Sequence, residues 1–170
     1  MQQHKETLEK GLFFQIGTEK LIELSLATFG LYGLVWSYQN WVQLKRQDPT
    51  IKPLLRTLLA IVYQLDLYQR VHKQSQADRE SARWSPIRVY ILFVIFNLIP
   101  TWLLVTGHPW GFLVIMLTLL PNLLVNQAIN RIHDKRIHFY AQNTELDGLD
   151  WGVLIAGIVI WLTILVMAIS

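Results

Sequence analysis

Three long apolar segments without a single charged residue constrain most strongly what this chain can fold into. They cover residues 89–106, 110–129 and 151–169. A helix needs roughly 20 mainly apolar residues to cross the hydrocarbon core of a bilayer, so each segment is long enough to span. Across the chain 52% of residues are hydrophobic and only 16% are charged, and the charges cluster between the apolar segments. A soluble domain spreads its charges over every surface element. The pattern therefore predicts an all-α membrane protein with three transmembrane helices.

Proline residues interrupt two of these predicted spans. Pro100 should kink the first, and Pro121 should break the second. Proline removes a backbone donor, which a membrane helix tolerates where neighbouring groups satisfy the freed carbonyl. Only residues 107–109 separate the two spans, so we expect a tight hairpin. Aromatic residues near the segment ends fit anchoring at the headgroup level: Trp41, Trp84, Tyr90, Trp110 and Trp151.

The N-terminal half has a mixed character. The stretch 21–44 is mostly apolar, and two glycines near its middle, Gly30 and Gly33, predict a bend. The stretch 51–73 repeats apolar residues at helical spacing, which indicates a helix with one apolar face. Its charge-free run between Arg56 and Asp66 is too short to span.

Charge placement favours one topology for this half. If residues 21–44 and 51–68 both crossed the membrane, Lys45, Arg46 and Lys52 would lie outside, against the positive-inside rule. If the N-terminal half instead enters the cytoplasmic leaflet and returns, all fifteen Lys and Arg lie on the cytoplasmic side. Both arrangements remain open at this point.

The favoured organisation has three parts. Residues 1–73 form a polar tail and an amphipathic or re-entrant helical hairpin, and residues 74–88 form a polar cytoplasmic linker. Residues 89–170 form the three-helix membrane region, with the C-terminus outside.

Ionisable residues inside apolar segments are costly and suggest function. Glu23 and Asp66 are the candidates, with Arg56 and Lys20 as partners in an ion pair or proton relay between the two N-terminal helices. The alternative, which we favour, is that both segments lie at the interface and these charges sit among hydrated headgroups.

Asparagines form a stripe in the second predicted span. Asn122, Asn126 and Asn130 recur every fourth residue and share one helix face, which Asn97 of the preceding span could meet. Hydrogen bonds between helices are the favoured interpretation, and a polar path for a solute is the alternative.

Several site classes find no support in the sequence. The chain has no cysteine, which excludes thiolate catalysis and thiolate metal sites. It has no phosphate-binding loop, dinucleotide fingerprint, nucleophile elbow or zinc-protease motif. His133 and His138 are five residues apart, so they do not share a helical face as metal ligands do. We predict no catalytic, cofactor-binding or metal-binding residue and no nucleic-acid partner.

One run of residues resembles a family signature. The stretch Thr28-Phe29-Gly30-Leu31-Tyr32, followed by Trp36-Ser37-Tyr38-Gln39-Asn40-Trp41, resembles a family of uncharacterised bacterial inner-membrane proteins with a domain of unknown function. The similarity continues through 51–56, 125–130 and 149–151. Family members often carry an acidic residue where this chain has Gly33, and Lys where it has Gln39. The resemblance implies a helical inner-membrane protein and no particular activity.

The function expected from the sequence is that of a non-enzymatic membrane component. It would contact membrane lipids, and other membrane proteins or copies of itself, through interfacial helices and basic cytoplasmic loops. A small transporter or channel subunit acting as an oligomer is the alternative. It would use Asn97, Asn122 and Asn126 together with the interrupted helix at Gly30–Gly33.

Overall fold

The computed structural model describes residues 12–78, 84–108, 111–136, 143–146 and 148–169. All regular secondary structure in these ranges is helical, which confirms the all-α prediction for this part of the chain. The predicted polar tail, residues 1–11, lies outside the described ranges. The helices are α1 (Thr18–Ala27), α2 (Tyr32–Lys45), α3 (Pro53–Leu58), α4 (Ala60–Ala77), α5 (Pro86–Val105), α6 (Gly111–Val114), a 3₁₀ turn (Ile115–Thr118), α7 (Leu119–Arg136) and α8 (Gly148–Ile169).

Each long segment of the N-terminal half consists of two helices. Between α1 and α2, Phe29 and Gly30 have φ angles of 52° and 82°, in the left-handed region. Glycine enters that region without steric cost, so the bend predicted at the glycines is confirmed. The second segment breaks at Leu59, which separates α3 from α4.

Helix boundaries around the predicted linker differ from those expected at residues 74 and 88. α4 continues through Ala77, and α5 begins at Pro86 rather than at Val89. Proline suits the first helical position because its missing N–H has no partner there. Residues 79–83 of the linker lie outside the described ranges. Pro100 lies inside α5, which continues to Val105.

The interruption of the second predicted span is displaced from the proline that causes it. Pro121 lies inside α7, whereas the irregular backbone is the 3₁₀ turn Ile115–Thr118. Pro121 lacks the N–H that would bond the carbonyl of Leu117, and its ring crowds that carbonyl. The strain therefore falls on the preceding turn, which tightens to 3₁₀ geometry.

The N-terminal half shares one core with the rest of the chain. α1 packs against α7 and α8, and α4 packs against α5 and α7. The largest fully buried side chains include Trp36 and Trp41 of α2 and Tyr68 of α4. The N-terminal hairpin is therefore built into the bundle rather than laid on its surface.

Many large apolar side chains lie on the surface of the bundle, and its apolar core also contains buried polar side chains. Buried polar side chains include Lys20, Gln64, Asn122, Asn126, Asn130 and Asp150. Exposed apolar side chains occur on every long helix, among them Leu34, Leu58, Val62, Leu98, Val105, Leu124 and Ile155. By length and composition, α5 is the one helix in the described ranges that could cross a membrane, and α8 adds a shorter apolar stretch, Asp150–Thr163.

Candidate functional site

A cavity of about 120 Å³ lies where three helix interruptions meet. They are the α1–α2 turn, the α3–α4 junction and the 3₁₀ turn before α7. Helices α2, α4, α5 and α7 complete the wall, and the lining comprises Phe29, Gly30, Leu31, Gly33, Leu34, Ser37, Ala60, Ile61, Gln64, Phe93, Asn97, Ile115, Thr118 and Asn122. Non-helical backbone thus borders the cavity at the α1–α2 turn, and 3₁₀ backbone borders it at Ile115–Thr118.

Two glycines allow this close approach. A Cβ atom on Gly30 would lie 2.8 Å from the Thr118 hydroxyl oxygen, and one on Gly33 would lie 3.0 Å from Nδ2 of Asn122. Real Cβ atoms essentially never come within 3.0 Å of another heavy atom. The glycines of the bend therefore bring the α1–α2 turn onto the second predicted span.

A chain of hydrogen bonds fixes the amide of Asn122. Ser37 Oγ donates to Gln64 Oε1 at 3.1 Å, and Gln64 Nε2 donates to Asn122 Oδ1 at 3.3 Å. The Tyr68 hydroxyl donates to the same oxygen at 2.8 Å. With Oδ1 accepting twice, Nδ2 is the free donor of this side chain. None of the described residues accepts a hydrogen bond from it.

Two further polar groups line the same cavity. Asn97 Nδ2 donates to the carbonyl of Phe93 in its own helix at 2.8 Å, which leaves Oδ1 as an acceptor. Thr118, a residue that is 8% exposed, contributes a hydroxyl. In the described part of the chain, neither that hydroxyl nor Asn97 Oδ1 has a hydrogen-bond partner. The cavity thus offers a donor, an acceptor and a hydroxyl, and the described residues that line it are all uncharged.

The asparagine stripe divides into two roles. Asn97 and Asn122 line the cavity together, whereas Asn126 lies outside the lining. Asn126 accepts a hydrogen bond from Trp36 Nε1 at 3.0 Å and donates to the carbonyl of Ile16 at 3.1 Å. Asn130 donates to the same carbonyl at 3.0 Å. Asn126 and Asn130 therefore tie the N-terminal segment to α7, as the interhelical hydrogen-bond interpretation expects.

The predicted charged candidates do not meet the cavity. Arg56 and Asp66 form an ion pair at 2.5 Å, but both belong to the second N-terminal segment, and Arg70 also contacts Asp66 at 3.0 Å. The Arg56 guanidinium lies 4.6 Å from the ring centroid of Trp41, so it links the two segments through a cation–π contact. Glu23 is exposed and takes no part in this cluster.

A buried ion pair lies elsewhere, and sequence reasoning missed it. Lys20 Nζ lies 2.5 Å from Asp150 Oδ2, with side chains only 2% and 9% exposed. The same ammonium donates to Asn143 Oδ1 at 3.0 Å and to the Glu145 carbonyl at 2.7 Å. The sequence interpretation offered Lys20 as a partner for Glu23 or Asp66, whereas the structure pairs it with the first turn of α8.

A buried histidine near the end of α7 carries a perturbed pKa. Burial, and to a lesser extent the nearby Arg136 charge, lowers the pKa of His133 to about 4. The backbone N–H of Phe13 donates to His133 Nε2 at 3.3 Å, which requires that nitrogen to be unprotonated. The neutral form of His133 is thus part of the packing between the N-terminal segment and α7.

Residues 12–78, 84–108, 111–136, 143–146 and 148–169 contain no group of three or more His, Asp or Glu placed to hold a metal ion. Comparisons with protein-family models, curated proteins and solved structures gave no match. The family resemblance therefore stays a prediction, and the functional argument depends on the geometry of this chain.

Proposed function

We propose that the chain is a multi-pass membrane protein of a bacterial inner membrane that acts as a non-enzymatic, lipid-interacting and partner-binding component. One observation carries this proposal. Large apolar side chains cover much of the outside of the bundle, while its interior holds amides, hydroxyls and an ion pair beside an apolar core. Exposed apolar side chains are unfavourable in water and favourable in hydrocarbon. Polar groups that faced lipid would have no hydrogen-bond partners, so they are more stable inside the bundle.

The exposure of α5 separates this interpretation from that of a soluble core helix. Only 17% of the most apolar 18-residue stretch of this helix is buried inside the bundle, whereas the core helix of a soluble protein is mostly buried. Leu98 and Val105 on this helix are 54% and 82% exposed. Monomeric soluble proteins rarely expose contiguous apolar surface on this scale.

Helix lengths support a re-entrant N-terminal half. α1 has 10 residues, which at 1.5 Å per residue is about 15 Å, half of a hydrocarbon core roughly 30 Å thick. The chain then turns at Phe29–Gly30 and returns along α2 to Lys45. α3 is shorter still, and its apolar residues Leu54, Leu55 and Leu58 face outward. A re-entrant N-terminal half that enters and leaves from the cytoplasmic side fits these lengths and the placement of the basic residues.

Membrane extraction and site-specific crosslinking test this proposal together. We expect the full-length chain to stay in the membrane fraction during alkaline carbonate extraction. A photo-crosslinking amino acid at Ile95, on the exposed face of α5, should capture lipid or another membrane protein. The same group at Gln69, an exposed polar position on α4, serves as the matched control and should capture neither. Release of the chain by carbonate would contradict membrane integration.

A small transporter or channel subunit is the second candidate, and the cavity is the observation that favours it. Interrupted helices often mark solute sites in transporters, and three interruptions meet here. Leu in place of Asn122, which lines the cavity, discriminates the two functions in liposomes. A solute pathway predicts lost glycerol or urea flux in a folded protein, whereas interhelical hydrogen bonding alone predicts lost stability.

A further inference from the structure

We infer that the cavity among the helix interruptions is a binding site for an uncharged lipophilic molecule that carries a hydroxyl or carbonyl group. The inference rests on the proposed membrane function, since such a ligand would arrive from the bilayer. The polar head of the ligand would lie in the cavity, and its tail would lie in the lipid phase.

The polar groups of the cavity determine the chemistry of the head. Asn122 Nδ2 can donate to a carbonyl or hydroxyl oxygen, and Asn97 Oδ1 can accept from a hydroxyl. The Thr118 hydroxyl can do either. Asn122 and Thr118 are 4% and 8% exposed and line the cavity, so a ligand or water in the cavity can pair with their free groups.

The absence of charge among the described lining residues limits the charge that the head of the ligand can carry. A buried charge requires a counter-charge or a dense set of dipoles to offset its desolvation. No acidic, basic or histidine side chain is among the described residues that line this cavity. An uncharged head therefore fits, and a carboxylate, a phosphate or an ammonium does not.

The size and rim of the cavity determine how the rest of the ligand is placed. A volume of about 120 Å³ holds roughly four water molecules, so it accommodates a head group only. Leu31, Leu34 and Ile61 line the cavity and are also 57%, 48% and 48% exposed. They form an apolar rim that opens toward the outside of the bundle. In a bilayer, that rim faces acyl chains, and an alkyl tail can leave through it.

Photolabelling tests the site with two matched probes, a photoreactive hexadecanol and a photoreactive hexadecane, on the full-length chain in lipid nanodiscs. We expect the alcohol, with its diazirine beside the hydroxyl, to label residues 29–37 and 115–122. The alkane should label the exposed faces without this preference. Thr118→Val, which replaces a hydroxyl by a methyl of similar size, should reduce alcohol labelling about fivefold, the effect of one hydrogen bond.

A second pair of variants keeps the test independent of cavity stability. Leu34→Trp fills the rim from an exposed position and should block alcohol labelling. Leu98→Trp, on an exposed part of α5 away from the lining, is the control and should leave it unchanged.

Three outcomes would overturn the inference. The alcohol and the alkane could give the same pattern, Thr118→Val could label as the wild type does, or glycerol but not unlabelled hexadecanol could protect the site. The last result would favour a solute pathway. Carbonate extraction of the same sample separates the two proposals, because a chain that stays in the membrane without site labelling contradicts the binding site alone.

Discussion

Lys20 Nζ lies 2.5 Å from Asp150 Oδ2, and this buried pair joins the first turn of α1 to the first turn of α8. Removing one partner of a buried pair leaves an uncompensated charge, which typically costs about 3–5 kcal/mol. We therefore expect Lys20→Met and Asp150→Leu each to lower the free energy of unfolding by about that amount. The double variant Lys20→Met/Asp150→Leu should recover most of the loss. Denaturant titration of the four proteins in detergent measures the coupling, and additive losses would contradict a direct pair.

Asn126 should contribute more to stability than its exposed neighbour. Asn126→Leu leaves Trp36 Nε1 without an acceptor, and such an unsatisfied buried group costs about 1–3 kcal/mol, whereas the Ile16 carbonyl keeps its hydrogen bond from Asn130. Gln127→Leu, on the exposed side of the same helix, is the matched control and should change stability by less than about 0.5 kcal/mol. Thermal unfolding in detergent compares the two. Equal melting temperatures would show that Asn126 does not tie the N-terminal segment to α7.

His133 makes stability depend on pH in a defined direction. Its pKa is lowered to about 4 in the folded chain from an ordinary value of 6.5, so folding favours the neutral ring. This stabilisation is complete above pH 6.5 and is lost as the pH falls through 4. The total is roughly 3 kcal/mol. Unfolding titrations between pH 7.5 and 4 should show the loss in the wild type and in His108→Gln, an exposed control. The loss should be absent in His133→Gln, and a persistent loss there would assign the titration to another group.

Two glycines of α8 should respond oppositely to alanine. A Cβ on Gly157 would collide with the Ala27 carbonyl of α1, so Gly157→Ala should destabilise the chain by about 1–3 kcal/mol. A Cβ on Gly152 meets nothing within 4 Å, so Gly152→Ala should stabilise the helix by up to about 1 kcal/mol. Thermal unfolding measures both. The same sign for both variants would contradict the close packing of α1 on α8.

Local patterns in the sequence predicted local features of the fold. The bend at Gly30 follows from glycine chemistry, and the 3₁₀ turn follows from Pro121 once its effect on the preceding turn is considered. The break at Leu59 was not predicted, because apolar periodicity continues through it and no glycine or proline marks it. That break lets Arg56 reach Asp66, which an unbroken helix would hold further away.

The site required tertiary information that periodicity does not contain. Asn97 and Asn122 were predicted to lie on facing helices, and the structure places both on one cavity. Gln64 and Tyr68, which orient Asn122, were not singled out, because a lone polar residue within a helix has no distinctive spacing. The pairing of Lys20 with Asp150 could not be predicted either, because the two residues lie far apart in the chain and no sequence pattern connects them.

The side of the membrane on which three exposed positions lie tests the central claim most directly. Cysteine labelling can measure it cleanly, because the chain has no native cysteine. Single cysteines would replace Gln47, Ala77 and His108, all of which are exposed. Each would be probed with an impermeant thiol reagent in intact cells and in inverted vesicles. A re-entrant N-terminal half predicts that positions 47 and 77 react only from the cytoplasmic side and position 108 only from outside. Reaction of position 47 from outside would contradict it, since the first N-terminal segment would then cross the membrane.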